Sequence, residues 1–140
     1  MQNTWFQAKA KCEIQGKRLC KDYEWTQACR GPENKPYPYG YKRDSSKCRI
    51  DLIQTKNIRT ATFEELDKTV VSGEMDCTSD YGVRDMTGNA DEWTVSSGGT
   101  PYQSVLQGGH PYSVRNRCSV RTESHNEFFS FYDTGFRCCL

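Results

Sequence analysis

Apolar residues are scarce in this chain, making up 35% of its 140 residues at a mean hydropathy of −0.86. A core built from so little apolar surface leaves the fold marginal, so a further staple is expected. No stretch approaches roughly 18 consecutive apolar residues, so no membrane-crossing helix and no membrane insertion are expected. A charged-then-apolar leader is also missing; any export signal is expected to have been removed, and Met1 leads directly into a helical pattern, as in a processed fragment. Neither sign of charge dominates, with 19 Lys and Arg against 18 Asp and Glu and no long run of either. Nucleic acid is therefore not expected as a partner. The length leaves little room for a second independent core, which makes residues 1–140 a single unit. There is no CxxC pair, no G-x-S-x-G, no H-E-x-x-H and no phosphate-cradling glycine loop, and only two histidines are present. None of the corresponding zinc, serine-hydrolase or nucleotide chemistries is announced.

What the chain has instead is eight cysteines. Several lie in hydrophilic stretches, Cys48 and Cys77 among them, where buried unreactive thiols are not expected. The pattern reads as a disulfide framework, and with it an extracytoplasmic setting: periplasmic, secreted or cell-surface. Eight cysteines allow on the order of a hundred pairings, and their positions alone do not choose among them.

Along the chain, NTWFQAKAKCEIQG places Trp5, Phe6, Ala8, Ala10 and Cys12 at helical spacing, with Asn3 or Thr4 as cap and Gly16 as terminator. A brief extended KRL follows. Asp22 then stands before a second helical pattern carrying Trp25, Ala28 and Cys29, in the position where an Asp caps a helix, and Gly31-Pro32 closes it. From Gly31 to about Gly82 the chain is loop-like, with one moderately periodic stretch around Thr62 to Val71; so long a loop is usually functional or cross-linked. Short apolar-alternating pieces, YGVRDM, ADEWTV, SVLQGG, CSVRTE and GFRCCL, read as strands and turns. The pattern is α+β: two short helices, then loop-rich structure with short antiparallel strands.

Five segments taken together, WFQAKAKCEIQGKRLCKDYEWTQACRG, YPYG, YGVRDMTGNADEWT, VLQGG and CSVRTE with GFRCC, resemble the formylglycine-generating enzyme or sulfatase-modifying factor domain in order and content. That resemblance implies a disulfide-stapled, loop-rich relative of the C-type lectin fold. The family domain normally carries a substantial part before the first helix, so the chain looks like its C-terminal portion or a minimal version. The resemblance also implies disulfides Cys12 with Cys138 and Cys29 with Cys118; the remaining cysteines would then pair as Cys20 with Cys139 and Cys48 with Cys77.

The family's oxidase holds copper(I) on two further cysteines between the Gly-Gly and the position of Cys118, since copper(I) selects soft thiolates. Here that segment is GGHPYSVRNRC, without cysteine before Cys118. No copper is expected, and formylglycine formation is not expected of this chain unless a thiol such as Cys20 or Cys139 is left free. The resemblance carries calcium to the turn DMTGNADEW, with ligands from the side chains of Asp85 and Glu92 and the carbonyls of Gly88 and Ala90; calcium takes roughly six to eight oxygens. Asp91 stands where the family usually has an aromatic residue. A second calcium site of the family is not reproduced around KCRIDLIQT. The expected function is a non-catalytic binding or adhesion module for a protein, peptide or glycan, with His110, Ser113, Arg115 and Trp93 as its ligand surface. The alternative is an enzyme of the same superfamily, or a fragment of one, with His110 as base or metal ligand and Arg115, Arg117 and Arg121 holding an anion. His125 is given no role.

Overall fold

The computed structural model describes residues 2–50, 75–109 and 116–140. Helix α1, Trp5–Ile14, starts where Thr4 and Gln7 close a capping box: the Gln7 N–H donates to Thr4 Oγ1 at 3.2 Å, and the Thr4 N–H donates to Gln7 Oε1 at 2.9 Å. It ends at Gly16, φ 71°, where the Lys17 N–H reaches back to the Cys12 carbonyl and the Gly16 N–H to that of Glu13. Trp5, Ala8 and Cys12 form its buried stripe.

Strand β1, Arg18–Leu19, leads into helix α2, Asp22–Arg30. Asp22 is its first helical residue rather than its cap. The Glu24 carboxylate reaches back to the Lys21 N–H at 2.8 Å, and the Asp22 carboxylate is used elsewhere. The strands β2, Asp91–Val95, β3, Ser104–Gln107, β4, Arg121–Thr122, and β5, Thr134–Phe136, form one sheet in the order β4-β3-β2-β5. β2 runs antiparallel to β3, with Trp93 opposite Leu106, but parallel to β5, so the sheet is mixed where antiparallel strands alone were expected. A chain that returns to β2 after leaving β4 arrives in the same direction, a property of topology that alternation does not encode. YGVRDM, expected as strand or turn, contributes one isolated bridge, Thr78 with Arg84, and no strand.

The last strand, β6, Cys138–Cys139, pairs with β1 in a second sheet. The four disulfides are Cys12–Cys138, Cys20–Cys139, Cys29–Cys118 and Cys48–Cys77, the pairs that the resemblance implies. Each of the three apolar clusters contains sulfur. The first is Trp5, Ala8, Cys12, Leu19, Trp93 and Leu106; the second Trp25, Cys29, Met86 and Cys118; the third Cys48, Ile50 and Cys77. Cystines thus supply core volume as well as cross-links. Among the described residues no helix is long and apolar enough to cross a membrane. The periodic stretch expected around Thr62 to Val71 lies outside the described residues.

Candidate functional site

The segment Asp85 to Glu92 is a tight turn with three left-handed residues: Asp85 (φ 57°), Gly88 (φ 74°) and Asn89 (φ 63°). Asn and Asp tolerate this region better than other side-chain-bearing residues. Gly88 is required for a second reason, since a Cβ there would lie 2.2 Å from the Arg49 carbonyl oxygen and 2.5 Å from Ile50 Cγ2. Backbone hydrogen bonds stitch the turn to three segments: Asp85 N–H to the Cys77 carbonyl, Asn89 N–H to Arg49, and Gly88 N–H to Gly108. The Cys48–Cys77 bridge therefore braces the platform under the turn.

Behind the turn, Glu92 is 8% exposed and strongly engaged. Its Oε2 accepts from Trp25 Nε1 at 2.8 Å and Arg137 Nε at 2.6 Å, and its Oε1 accepts from Arg137 Nη2 at 2.7 Å. Arg137 also donates to the Arg84 carbonyl at 2.9 Å. Burial opposes the charged guanidinium, yet the Glu92 carboxylate, with Asp85 beyond it, raises the Arg137 pKa above its ordinary value.

This arrangement bears on calcium. A carboxylate offers about four lone-pair positions, and three on Glu92 are taken, leaving one on Oε1. The expected donors, Asp85, the Gly88 and Ala90 carbonyls and that remaining position, fit a calcium ion only as a shared site whose charge Arg137 has already partly neutralised. Among the described residues no three His, Cys, Asp or Glu side chains gather as a metal cluster, so carbonyls would have to supply much of the coordination.

The expected ligand surface divides. Trp93 is a correction: it is 0% exposed, sits in the first core cluster and donates its indole N–H to the Asn3 carbonyl at 2.8 Å. In a thin core the largest apolar side chains are the ones burial claims first. His110, Ser113 and Arg115 lie outside the described residues, but the two ends of their segment are held together. Asn116, 0% exposed, donates Nδ2 to the Gly108 carbonyl at 3.2 Å and accepts Arg43 on its own carbonyl and Oδ1. Asp91 Oδ1 accepts the Gly109 N–H at 2.9 Å. The residue at the family's aromatic position therefore anchors the base of this segment.

Beside that anchor is a cleft of about 260 Å³ lined by Asp91, Leu106, Thr122, His125, Phe129, Phe131, Tyr132 and Asp133. The His125 imidazole stacks on Phe129 with centroids 3.7 Å apart. Sequence reading missed it because SHNEFF carries no periodicity that points a side chain anywhere. Arg121, one of the arginines that the enzyme alternative assigns to an anion, donates Nη2 to Asp22 at 3.0 Å and Nε to Glu123 at 2.8 Å. All eight cysteines are in disulfides and no free thiol remains.

Comparison with known proteins agrees with this architecture. The family model of the sulfatase-modifying factor enzyme 1-like domain matches residues 1–140. Formylglycine-generating enzyme of Bos taurus is 28% identical over 157 residues, covering 96% of this chain and 42% of that protein. Inactive C-alpha-formylglycine-generating enzyme 2 of Bos taurus is 33% identical over 145 residues, covering 96% and 48%. The chain thus spans less than half the length of these curated relatives. Among solved structures, PvdO from Pseudomonas aeruginosa superposes with a TM-score of 0.67 at 15% identity, over 95% of this chain and 58% of that one. CarF gives 0.62 at 19% identity, over 87% and 46%; at such identities the likeness speaks for the fold. With its whole length matched by the family model, the chain belongs to the sulfatase-modifying factor enzyme 1-like domain family.

Proposed function

We propose that this chain is a non-catalytic, extracytoplasmic binding module on a formylglycine-generating-enzyme-like scaffold, engaging a peptide or glycan at the cleft beside Asp91, His125 and Phe129. One observation carries the reading: every sulfur that could serve as a copper(I) thiolate is committed to a disulfide. The naming of one relative as inactive is consistent with it. Four disulfides also suit an oxidising compartment. The cleft offers aromatic faces, an imidazole and two carboxylates, groups suited to orienting a polar ligand over an apolar wall.

Thiol titration of the denatured, unreduced chain is expected to give zero, whereas a titre of two would overturn the non-catalytic reading in favour of a thiolate oxidase. Screening peptides and glycans against the chain and its Phe129→Ala variant locates the ligand face: binding lost in the variant supports this cleft, and binding unchanged by it moves the face elsewhere. Calcium, as a structural ion bracing the 85–92 turn, belongs to the same proposal. Melting in millimolar calcium is expected a few degrees above melting in EDTA, and coincident curves would count against the ion.

A further inference from the structure

A second cleft, of about 310 Å³, lies along α2 and is lined by Asp22, Tyr23, Thr26, Gln27 and Arg30 of the helix with Asn34, Ser97 and Arg121. Asp22, Thr26 and Arg30 follow one another at spacing four, so they share a face, with Tyr23 and Gln27 in the adjacent row. The charges along this wall are not equivalent. The Asp22 carboxylate is fully engaged, accepting from Arg121 Nη2 at 3.0 Å, the Tyr23 N–H at 2.8 Å, and the Ser97 N–H and Oγ at 3.2 and 3.1 Å. These contacts hold its pKa below the ordinary value against the opposing effect of burial.

Arg30 differs. Its side chain makes no hydrogen bond or ion pair with any described residue, and its Nε is buried without a partner. A guanidinium carries five donors and no acceptor, and burying even one of them unsatisfied costs on the order of 1–3 kcal/mol. Its place in the last turn of α2 suits the helix dipole, but that effect is worth roughly 0.3–1 kcal/mol and gives the buried N–H no acceptor. Its Nη groups, also without partners among the described residues but not buried, form the end of the fork that an oxyanion in the cleft can reach, a pair of parallel donors shaped for bidentate pairing. Around it stand neutral donors and acceptors: the Tyr23 phenol, the Gln27 and Asn34 amides and the Ser97 hydroxyl. Arg121 is shared between Asp22 and Glu123, so the charge on this wall without a carboxylate partner is that of Arg30, and the volume is at the small end of ligand sites, roughly 300–1,000 Å³.

We infer that this cleft binds an acidic saccharide: one sugar ring whose carboxylate or sulfate pairs with Arg30 and whose hydroxyls meet the Tyr23, Gln27 and Asn34 side chains. This site is separate from the cleft of the proposed function and does not depend on that reading. Calorimetric titration of the full chain with glucuronate, glucose 6-sulfate, glucose, inorganic sulfate and the peptide Gly-Glu-Gly tests it. At least one acidic sugar is expected to bind saturably, with glucose at least tenfold weaker; which of the two binds identifies the oxyanion. Arg30→Gln is expected to lose at least tenfold in affinity with a melting temperature no lower than the parent's. Should that variant not fold, Arg30→Lys, which keeps the charge but not the fork, and Asn34→Gly, which keeps the left-handed backbone at φ 55° but not the amide, are each expected to weaken binding several-fold. The inference is overturned if neither acidic sugar binds, if the Arg30 and Asn34 variants bind like the parent, or if inorganic sulfate or the acidic peptide binds as tightly as the sugar.

Discussion

At the scale of single residues, the most consequential contact is the one between Glu92 and Arg137. Both groups are largely buried, and removing one partner of such a pair leaves an uncompensated charge. Arg137→Gln is expected to destabilise the chain by about 3 kcal/mol, read from the urea midpoint. Near the surface, Glu24 gives a pH signature. The hydrogen bonds from Arg18, at 2.6 and 2.7 Å, pull its carboxyl from 4.5 down to about 2. Between those values the unfolded chain binds the proton and the folded chain does not. The pair's contribution is therefore complete above about pH 4.5 and is lost as pH falls toward 2. Melting temperatures from pH 7 to 2 should fall less steeply below pH 4.5 in Arg18→Gln than in the parent.

At the scale of elements, two glycines with nearly the same φ make opposite demands. Gly16 ends α1 at φ 71° with nothing within 4 Å of an added Cβ, so Gly16→Ala should cost only the backbone strain, about 1 kcal/mol. Gly88, at φ 74°, faces backbone at 2.2 Å, and Gly88→Ala should cost about 3 kcal/mol or more because the Arg49–Ile50 segment must move. Urea denaturation of the two variants side by side tests the contrast. Elements with local signals were legible in the sequence: α1 from Thr4, Trp5 and Gly16, β1 from KRL, and β2 and β3 from their alternation. Asp22 looked like a cap because capping is the commonest local use of an Asp before a helical pattern. The partners that claim it, Ser97 and Arg121, are 75 and 99 residues away. Glu92 was legible as an acidic residue in a turn, but not as the partner of Arg137, 45 residues on. The disulfide pairs became legible only through the family resemblance.

At the scale of the whole molecule, the bridges are not independent. Cys12–Cys138 spans 126 residues, but with Cys29–Cys118 in place it closes a ring of about 39 residues, worth about 4 kcal/mol in the chain-entropy picture. Because Cys138 and Cys139 are adjacent, Cys20–Cys139 then closes a ring of only about ten residues and adds about 3 kcal/mol. Replacing either pair with alanine should therefore cost about 3 kcal/mol through chain entropy, and replacing both about 7 kcal/mol, more than twice the single value. Urea unfolding of the three variants checks the inequality.

The same bridge governs what a protease can do to this chain. Any single cut between Cys12 and Cys138 produces two fragments that remain one covalent molecule. A nicked chain should migrate as one band on a gel without reductant and split in two once thiol is added. Under oxidising conditions such a cut would be silent, and the pieces would part only where the bridges are reduced.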